Sequence, residues 1–295
     1  MLFRSKLTLN RKVMDQGLGK IITWQLENNG SIELLSPEAA SLDDVTRQLP
    51  PGVYTTFRTY HKTKVLHLEE HFNRLEESAT LLGKRIQISR PVIRESIRAA
   101  ILLQHDQEHR IRINVDLQDK PGRLYIILEP LVVLPSKAYR DGVQVIFSHL
   151  HRENPTAKST AFVQKADEER KRLLDGVNEA IMVEPDGNIL EGLSSNFFGI
   201  QKNALFTAEE GVLKGITRSQ VLRCAESAGI QVVKKPVNVK DLPLLTEAFI
   251  TSASRGVLPV VQIETTRIGN GKPGQNTRAI ENLFTQMIER EIEEI

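Results

Sequence analysis

Apolar and polar positions in the first half of the chain alternate as in strands and then recur at helical spacing. The segment KIITWQLENNGSIEL predicts a hairpin turned around Asn28, Asn29 and Gly30, and GVYTTFRTY predicts a strand rich in β-branched and aromatic residues. A helix is expected over LEEHFNRLEESATLLG, with Gly83 at its end. The apolar positions that would form one face of this helix are Leu68, Phe72, Leu75, Ala79 and Leu82.

The next elements complete an α+β unit. A second helix is expected over residues 91–103, and strands are expected over RIRINVD and RLYIILEPL on either side of the turn DKPG. The polar stretch LVVLPSKAYRDG then interrupts the pattern, and Pro135 and Gly142 bracket it like a short interdomain linker. These features predict an N-terminal α+β domain over residues 1–133.

The pattern of the second half is richer in strands. VQVIFSHL predicts a strand, a helix is expected over about residues 161–174, and EAIMVEPDGNILEG predicts a strand pair turned at Asp186 and Gly187. A helix should open near Ile216 and Thr217, AFITSAS should form a strand, and a terminal helix should begin near Thr277. We therefore predict a β-rich C-terminal domain over residues 140–295.

Composition excludes several classes of protein. The 295 residues are 40% hydrophobic and 26% charged, as in a soluble globular protein, and a net charge of +2 gives no general attraction to nucleic acid or to an anionic membrane. No apolar window reaches the length of a membrane helix, and the start of the chain lacks a signal-peptide core, so a cytoplasmic location is expected. The single cysteine, Cys224, excludes an internal disulfide and is expected in a helix or the core.

One short motif, HDQEH from His105 to His109, has the spacing of a zinc-peptidase helix in which two histidines bind the metal. The preceding helix is expected to end before this motif, and a strand is expected to begin at Arg110. A solvated connector is therefore the favoured interpretation, and no metal site is predicted.

Four polar positions are candidates for chemistry, and each has an ordinary structural alternative. Lys158 stands before a helix among apolar residues, where burial would lower its pKa and make it nucleophilic, or it is a solvated surface lysine. Glu191 ends a strand and is either solvated or partnered. Thr217 opens a helix whose free N–H groups could bind an anion, or it only caps that helix. Arg74 faces inward on its helix or pairs with neighbouring glutamates.

Five segments in order carry a family resemblance: EEHFNRLEESA, EGLSSNFFGI, LKGITRSQV, FITSASRGVLPV and GQNTRAI. Together they resemble the class IV (fold type IV) pyridoxal-phosphate enzymes, which include branched-chain aminotransferases, D-amino-acid aminotransferases and aminodeoxychorismate lyases. The resemblance implies a smaller N-terminal α/β sandwich and a C-terminal pseudo-barrel domain, with pyridoxal 5′-phosphate in the cleft between them. It also implies a homodimer.

The resemblance implies roles for individual residues. Lys158 would form the aldimine with the cofactor, because 21 positions separate it from Glu179, as in the D-amino-acid aminotransferase pattern; Lys165 would then be an exposed helix residue. Glu191 would pair with the protonated pyridine nitrogen and help the ring withdraw electrons. The other implied cofactor-binding residues are Arg74, Ser195, Asn196, Leu213, Ile216, Thr217, and Ser252 and Ala253 of the turn from Thr251 to Ser254.

The implied activity is transfer of an amino group between an amino acid and a 2-oxo acid. Tyr54, Phe57 and Phe162 could form apolar walls for an apolar, branched-chain substrate, or they could belong to the core. Val163 stands where branched-chain enzymes carry tyrosine, which weakens that specific assignment. The alternative activity is an aminodeoxychorismate lyase, which releases pyruvate and forms 4-aminobenzoate. A binding protein with a degenerate site is disfavoured by the presence of Lys158 and Glu191.

Overall fold

The computed structural model describes residues 21–26, 32–35, 38–104 and 107–295. Contacts within the chain divide it into two units. The first contains the described residues up to Leu131 together with Ala157–Val163 and Ile292–Ile295, and the second contains Val132–Thr156 and Gln164–Glu291. The sequence predicts two contiguous domains, whereas here two short later segments belong with the first unit.

The first unit is a sheet with helices. Its elements are β1 (Ile22–Leu26), β2 (Ile32–Leu35), α1 (Leu42–Gln48), β3 (Gly52–Tyr60), β4 (Lys64–Leu66), α2 (Leu68–Leu81), α3 (Arg90–Leu103), β5 (His109–Asp116) and β6 (Leu124–Pro130). The chain returns at its end as a further strand, Ile292–Glu294, numbered β17. The sheet has the order β17-β4-β3-β5-β6-β1-β2.

Helices cover both faces of this sheet. Because side chains alternate along a strand, Ile126 and Leu128 of β6 point to one face and Ile127 to the other. Ile126 and Leu128 share a core with α2 and α3, whereas Ile127 packs against Leu42 and Val45 of α1. The first of these cores buries four residues of the stripe predicted for α2, Leu68, Phe72, Leu75 and Ala79, and Leu82 packs partly buried against it. This packing holds the helix on the sheet.

Several local predictions for this unit agree with the structure. β1 and β2 pair antiparallel, as the hairpin prediction requires, although its turn at residues 28–30 lies outside the described residues. Gly83 follows α2 with a φ of 73°, a left-handed conformation that glycine adopts without steric cost. The closing strand β17 was not predicted, and it pairs with β4 at the edge of the sheet.

The second unit contains most of the strands. Its elements are α4 (Ser136–Asp141), β7 (Val143–Ser148), α5 (Ala161–Arg170, which begins in the first unit), β8 (Val177–Val183), β9 (Asn188–Gly192), β10 (Asn196–Gln201), β11 (Ala204–Phe206), α6 (Ile216–Ser227), β12 (Gln231–Val233), β13 (Val237–Asn238), β14 (Glu247–Ser252), β15 (Gly256–Ile263), β16 (Thr266–Arg267) and α7 (Gln275–Glu291). A 3-10 helix spans Val239–Leu244.

Strand pairing closes part of the second sheet into a barrel. The strands follow the order β12-β11-β10-β14-β15-β7-β8-β9-β13, and β9 also pairs with β10. This additional pairing joins β9, β10, β14, β15, β7 and β8 into a ring of six strands. The apolar residues of these strands form a second core, so the predicted pseudo-barrel and the α+β class are confirmed.

Two predictions for the second unit differ from the structure. The segment from Pro135 to Gly142 is not an irregular linker, because residues Ser136–Asp141 form the short helix α4. Helix α5 ends at Arg170 rather than near residue 174, and a turn connects it to β8. Cys224 lies buried in α6, and burial raises the pKa of its thiol.

Among the helices of the described residues, none combines the length and the apolarity that a membrane crossing requires.

Candidate functional site

Three strands of the second unit place polar residues side by side at one end of the barrel. Asn196 at the start of β10 pairs in register with Glu191 of β9 and with Thr251 of β14. All three side chains are buried. The predicted cofactor residues of two separate motifs, EGLSSN and TSAS, are therefore neighbours in one row.

Glu191 is a buried carboxylate with several donors around it. The residue is only 2% exposed. Its Oε2 accepts hydrogen bonds from Leu213 N–H at 3.0 Å and from Asn196 Nδ2 at 3.1 Å. Oε1 lies 3.4 Å from Nε of Arg152, whose side chain is also buried. Of the two alternatives for Glu191, solvated or partnered, the structure shows the partnered one.

The loop before α6 is attached to the same carboxylate. Asn196 Nδ2 donates to the Leu213 carbonyl at 2.8 Å, while the Leu213 N–H binds Glu191. Gly215 is the N-cap residue of α6, and a Cβ at this position would collide with Asn196 Oδ1. Helix α6 therefore begins, with Ile216 and Thr217, directly beside the row of polar residues.

The start of α6 is open in the described part of the chain. Its N-cap residue is Gly215, which has no side chain to cap the helix, and Thr217 is the second residue of the helix rather than its N-cap. The first N–H groups of a helix lack partners within the helix and carry a partial positive charge. Ile216 and Thr217 are half-buried and can present such donors to an anion.

The turn between β14 and β15 contains the remaining predicted residues of this unit. Thr251 is 2% exposed, and its Oγ1 has no hydrogen-bond partner among the described residues. Ser252, Ala253 and Ser254 are half-buried. Ser252 Oγ accepts hydrogen bonds from the main-chain N–H and from Nε of Arg255, at 3.3 and 3.1 Å.

Ser195 is buried beside a carboxylate of β8. Its hydroxyl donates to Glu179 Oε2 at 3.3 Å, and Ser194 donates to the same oxygen at 2.9 Å. Gly192 begins this turn, and a Cβ there would overlap the Ser195 hydroxyl. The two serines of EGLSSN thus both donate hydrogen bonds to a buried glutamate of β8.

In the first unit, the segment around Lys158 pairs with the start of β3, at residues that do not pair with β4. Tyr54 N–H donates to the Lys158 carbonyl at 3.0 Å, and Thr160 N–H donates to the Gly52 carbonyl at 2.9 Å. The Gly52 N–H in turn donates to Thr160 Oγ1 at 2.8 Å. These bonds fix the backbone on both sides of Lys158.

Helix α2 faces this segment with three polar side chains. Ser78, fully buried, accepts a hydrogen bond from the Lys158 N–H at 3.1 Å. His71 lies two turns earlier, bonded through Nδ1 to Thr55 Oγ1 at 2.6 Å. Arg74, half-buried, is between them in sequence. The spacing of these residues, three and four positions apart, places them on one face of the helix.

The lysine side chain lies against an aromatic ring. Lys158 Nζ is 4.8 Å from the centroid of the Tyr54 ring, and the guanidinium of Arg112 lies 4.6 Å from the same centroid. Arg112 is itself buried and ion-paired with Asp43 of α1 at 2.7 Å. A cation close to an aromatic face is stabilised by the ring quadrupole, which contributes to holding the Lys158 amine there.

The other predicted aromatic residues and Lys165 differ in their environments. Phe57 belongs to the hydrophobic core and packs on the His71 ring at 4.9 Å, so its burial is accounted for by packing. Phe162 is buried near the start of α5. Lys165 is exposed on α5 and lies 2.8 Å from Glu153, as predicted for a surface residue.

The HDQEH motif lies only partly within the described residues, because His105 and Asp106 are outside them. α3 ends at Leu103, and His109 is the buried first residue of β5, with Nε2 3.2 Å from Gln104 Oε1. Within the described ranges, no group of three or more histidine, cysteine, aspartate or glutamate side chains is placed to bind a metal.

A comparison with protein-family models identifies the chain. The model for amino-transferase class IV matches residues 52–263. The chain belongs to the class IV aminotransferases. It is therefore an enzyme, and the predicted family is confirmed, as is the predicted transamination with pyridoxal 5′-phosphate.

Curated relatives and solved structures agree with this assignment. The aminotransferase is 26% identical over 257 residues to a branched-chain-amino-acid aminotransferase of Pseudomonas aeruginosa, covering 80% of this chain and 84% of that protein. It is 27% identical to a D-alanine aminotransferase of Bacillus licheniformis, covering 88% and 95%. The Escherichia coli branched-chain amino acid aminotransferase has the same fold, with a TM-score of 0.70, 22% identity, and coverage of 90% and 94%.

The residues of the aminotransferase fit a phosphorylated pyridine cofactor. Glu191 is a buried carboxylate of the kind that pairs with a protonated ring nitrogen. The Thr251 hydroxyl is buried without a hydrogen-bond partner in the described ranges, and the start of α6 offers N–H donors, as an anionic phosphate requires.

Sequence reasoning missed several side chains that organise these positions. They are His71, Ser78, Arg152 and Arg255, together with Glu179, for which the sequence predicted no role in the site. His71 and Arg255 lie inside the segments EEHFNRLEESA and FITSASRGVLPV, so their positions were visible. Their distant partners, Thr55 for His71 and Glu179 for Arg255, were not, because these contacts join elements that are separated in sequence.

The buried His71 is expected to make the stability of the folded protein sensitive to acid. Burial, followed by the charges of Arg74 and Lys158, lowers the pKa of His71 from 6.5 to about 3. Between these values the unfolded chain binds a proton that the folded chain does not, so the free energy of unfolding falls as the pH falls below about 6.5. At pH 5 we expect this histidine alone to remove roughly 2 kcal/mol relative to pH 7.5.

Denaturant unfolding of His71→Gln at the two pH values measures this effect. The variant should lose about 2 kcal/mol less than the wild type between pH 7.5 and 5, whatever its stability at pH 7.5. His151→Gln, which changes an exposed histidine of the second unit, is the control and should keep the wild-type pH dependence. Identical pH dependence in His71→Gln and wild type would show that His71 binds a proton as readily in the folded protein as in the unfolded chain.

Proposed function

We propose that this aminotransferase moves an amino group between an apolar, branched-chain amino acid and a 2-oxo acid. Pyridoxal 5′-phosphate would be held covalently by Lys158. We further propose that the enzyme is a cytoplasmic homodimer, as the family resemblance implies. The buried Glu191 carboxylate is the observation that carries the proposal, since an ordinary strand end gives no reason to bury a charge among so many donors.

Glu191 would hold the proton on the pyridine nitrogen. Leu213 N–H and Asn196 Nδ2 both donate to Oε2, so this oxygen is fixed by two hydrogen bonds. Oε1, on the side of Arg152, is then the oxygen that would accept from the ring nitrogen. When bound, the protonated cofactor acts as an electron sink that stabilises negative charge at the substrate Cα.

Phosphate binding is assigned to donors of different types. Ile216 and Thr217 would contribute the N–H groups at the start of α6, and the turn from Thr251 to Ser254 would contribute hydroxyls and main-chain N–H groups. Arg74 would contribute positive charge and bidentate hydrogen bonding. Leu213, buried, would pack under the pyridine ring through its side chain.

Lys158 would act twice. Its amine would first bind the cofactor, and after the substrate amine has replaced it, the free amine would take the proton from the substrate Cα and return it later. The backbone bonds of Lys158 to β3 and to Ser78 fix the base of this side chain, so that only its four-carbon stem has to move.

An apolar substrate is supported by the ion pairs of two arginines near the proposed residues, the buried Arg112 and the half-buried Arg255. Arg112, against Tyr54, is ion-paired with Asp43, and Arg255, against Ser252, is ion-paired with Glu179 at 2.6 Å. Their charges are therefore already compensated by protein carboxylates, whereas a second substrate carboxylate needs an available cation. Tyr54 and Phe162, both buried, supply apolar surface instead. The relatives named above favour transamination over the lyase alternative.

Half-reactions measured separately test the proposal. Leucine, isoleucine or valine alone should convert the visible absorption band of the bound cofactor to the ultraviolet band of its amino form, and the matching 2-oxo acid alone should reverse the change. Each enantiomer is offered separately, with alanine, glutamate and aspartate as the comparison donors. Release of pyruvate from aminodeoxychorismate, with no half-reaction on any amino acid, would refute transamination. A half-reaction with glutamate or aspartate but with none of the apolar donors would refute the proposed substrate class.

A further inference from the structure

Arg255 connects three segments of the second unit. Its main-chain N–H and Nε both donate to Ser252 Oγ, as described above, and Nη1 donates to Asn178 Oδ1 at 3.2 Å. Nη2 donates to Glu179 Oε2 at 2.6 Å and to Ser194 Oγ at 3.0 Å. One guanidinium thus joins the turn after β14, the start of β8 and the turn between β9 and β10.

The bonds from Arg255 determine how the Ser252 hydroxyl can act. A hydroxyl has two lone pairs that accept hydrogen bonds and one proton that it donates. Both acceptor positions of Ser252 Oγ are used by Arg255. The proton of this hydroxyl is therefore directed away from Arg255, and Ser252 is set as a donor, which is the role that an anionic phosphate oxygen requires.

Glu179 keeps Arg255 from binding an anion itself. This carboxylate is 1% exposed and forms a charge-assisted hydrogen bond with Nη2, so the arginine charge is compensated within the protein. Ser194 accepts from the guanidinium and donates to the same carboxylate. The Arg255 carbonyl accepts from Tyr139 Oη at 2.9 Å, which fixes the backbone of the turn as well.

We propose that Arg255 is a positioning residue for the cofactor phosphate. It orients the Ser252 hydroxyl as a donor toward the phosphate, and the ion pair with Glu179 holds the guanidinium in place for this purpose. This inference rests on the proposed function, in which the turn from Thr251 to Ser254 binds phosphate. Lysine cannot replace Arg255, because a single ammonium lacks the planar fork that reaches Ser252, Asn178 and Glu179 together.

The affinities of two aldehydes separate this role from a general effect on folding. Cofactor-free full-length protein is titrated with pyridoxal 5′-phosphate and with pyridoxal, which lacks the phosphate, and the ratio of the two dissociation constants is measured. In Arg255→Lys and in Ser252→Ala the preference for the phosphorylated aldehyde should fall about tenfold, as expected when one hydrogen bond to a charged group is lost. The double variant should fall no further, because both changes remove the same contact.

Controls make each outcome decisive. Arg172→Lys, at an exposed arginine, should keep the wild-type ratio. If Arg255→Lys does not fold, Arg255→Met combined with Glu179→Gln removes both charges, leaves no unpaired buried carboxylate, and should show the same tenfold fall. A wild-type ratio in the folded variants, or additive losses in the double variant, would refute the role of Arg255 while leaving the proposed function intact. A wild-type protein that binds neither aldehyde would refute the proposed function and this inference with it.

Discussion

Lys158→Ala is expected to abolish covalent attachment of the cofactor and to reduce turnover by a factor of at least about 10² to 10⁴, the usual contribution of a positioned proton-transfer group. The backbone of Lys158 is fixed by bonds to Tyr54 and Ser78, and its amine lies against the Tyr54 ring. Alanine preserves these backbone bonds and removes the side chain beyond Cβ, including the amine. The variant should therefore remain folded and still bind the cofactor without a covalent bond.

Borohydride reduction followed by peptide mapping locates the attachment site directly. In the wild type the pyridoxyl group should appear on the peptide that contains Lys158. Lys165→Ala is the matched control, because Lys165 is the other lysine of this segment and its amine is exposed beside Glu153. The control should retain the covalent cofactor and the wild-type turnover. A pyridoxyl group on Lys165 would show that the assignment of the two lysines is reversed.

Local features of the fold were predictable from the sequence because their causes are local. The stripe of Leu68, Phe72, Leu75 and Ala79 requires a helix that buries one face, and α2 does so. Gly83 and Gly187 mark turns that need a left-handed residue, and both have positive φ values. These signals depend only on residues within one or two turns of each other.

Long-range pairing was not predictable in the same way. Residues 158–160 pair with the start of β3, more than 100 positions earlier, and β17 joins β4 from the end of the chain. No periodicity in either segment indicates its partner, since an edge strand accepts any backbone that offers matching N–H and C=O groups. The closure of six strands into a barrel likewise depends on the pairing of β9 with β10.

In the candidate site, too, some residues could be predicted from the sequence, whereas their long-range partners could not. Glu191 could be proposed because it stands in a recognisable motif, and Lys158 could be proposed from its spacing of 21 positions to Glu179. Arg152 could not, since it lies 39 positions before Glu191 and nothing in its own segment identifies a buried partner. A charged side chain acquires its role from what the fold places beside it, so the partners of predicted residues require coordinates.

Glu191→Gln is expected to retain the cofactor and to lose about 10- to 100-fold in turnover. A charge-assisted hydrogen bond contributes about 1.5 to 3 kcal/mol, which is one to two decades in rate if it acts wholly in the transition state. The glutamine oxygen can replace Oε2 and accept from Leu213 and Asn196. Its NH₂ group then occupies the position of Oε1, beside Arg152, where it cannot accept the proton of a ring nitrogen.

Cofactor content and the rate of the half-reaction, measured on the same preparation, distinguish this effect from a loss of binding. The phosphate donors do not depend on Glu191, so the content should stay near that of the wild type while the rate falls. Glu281→Gln, which removes a carboxylate paired with Arg278 on α7, is the charge control and should leave both unchanged. A wild-type rate in Glu191→Gln would mean that the buried carboxylate only fixes Leu213 and Asn196, because the amide preserves those two bonds and removes the charge alone.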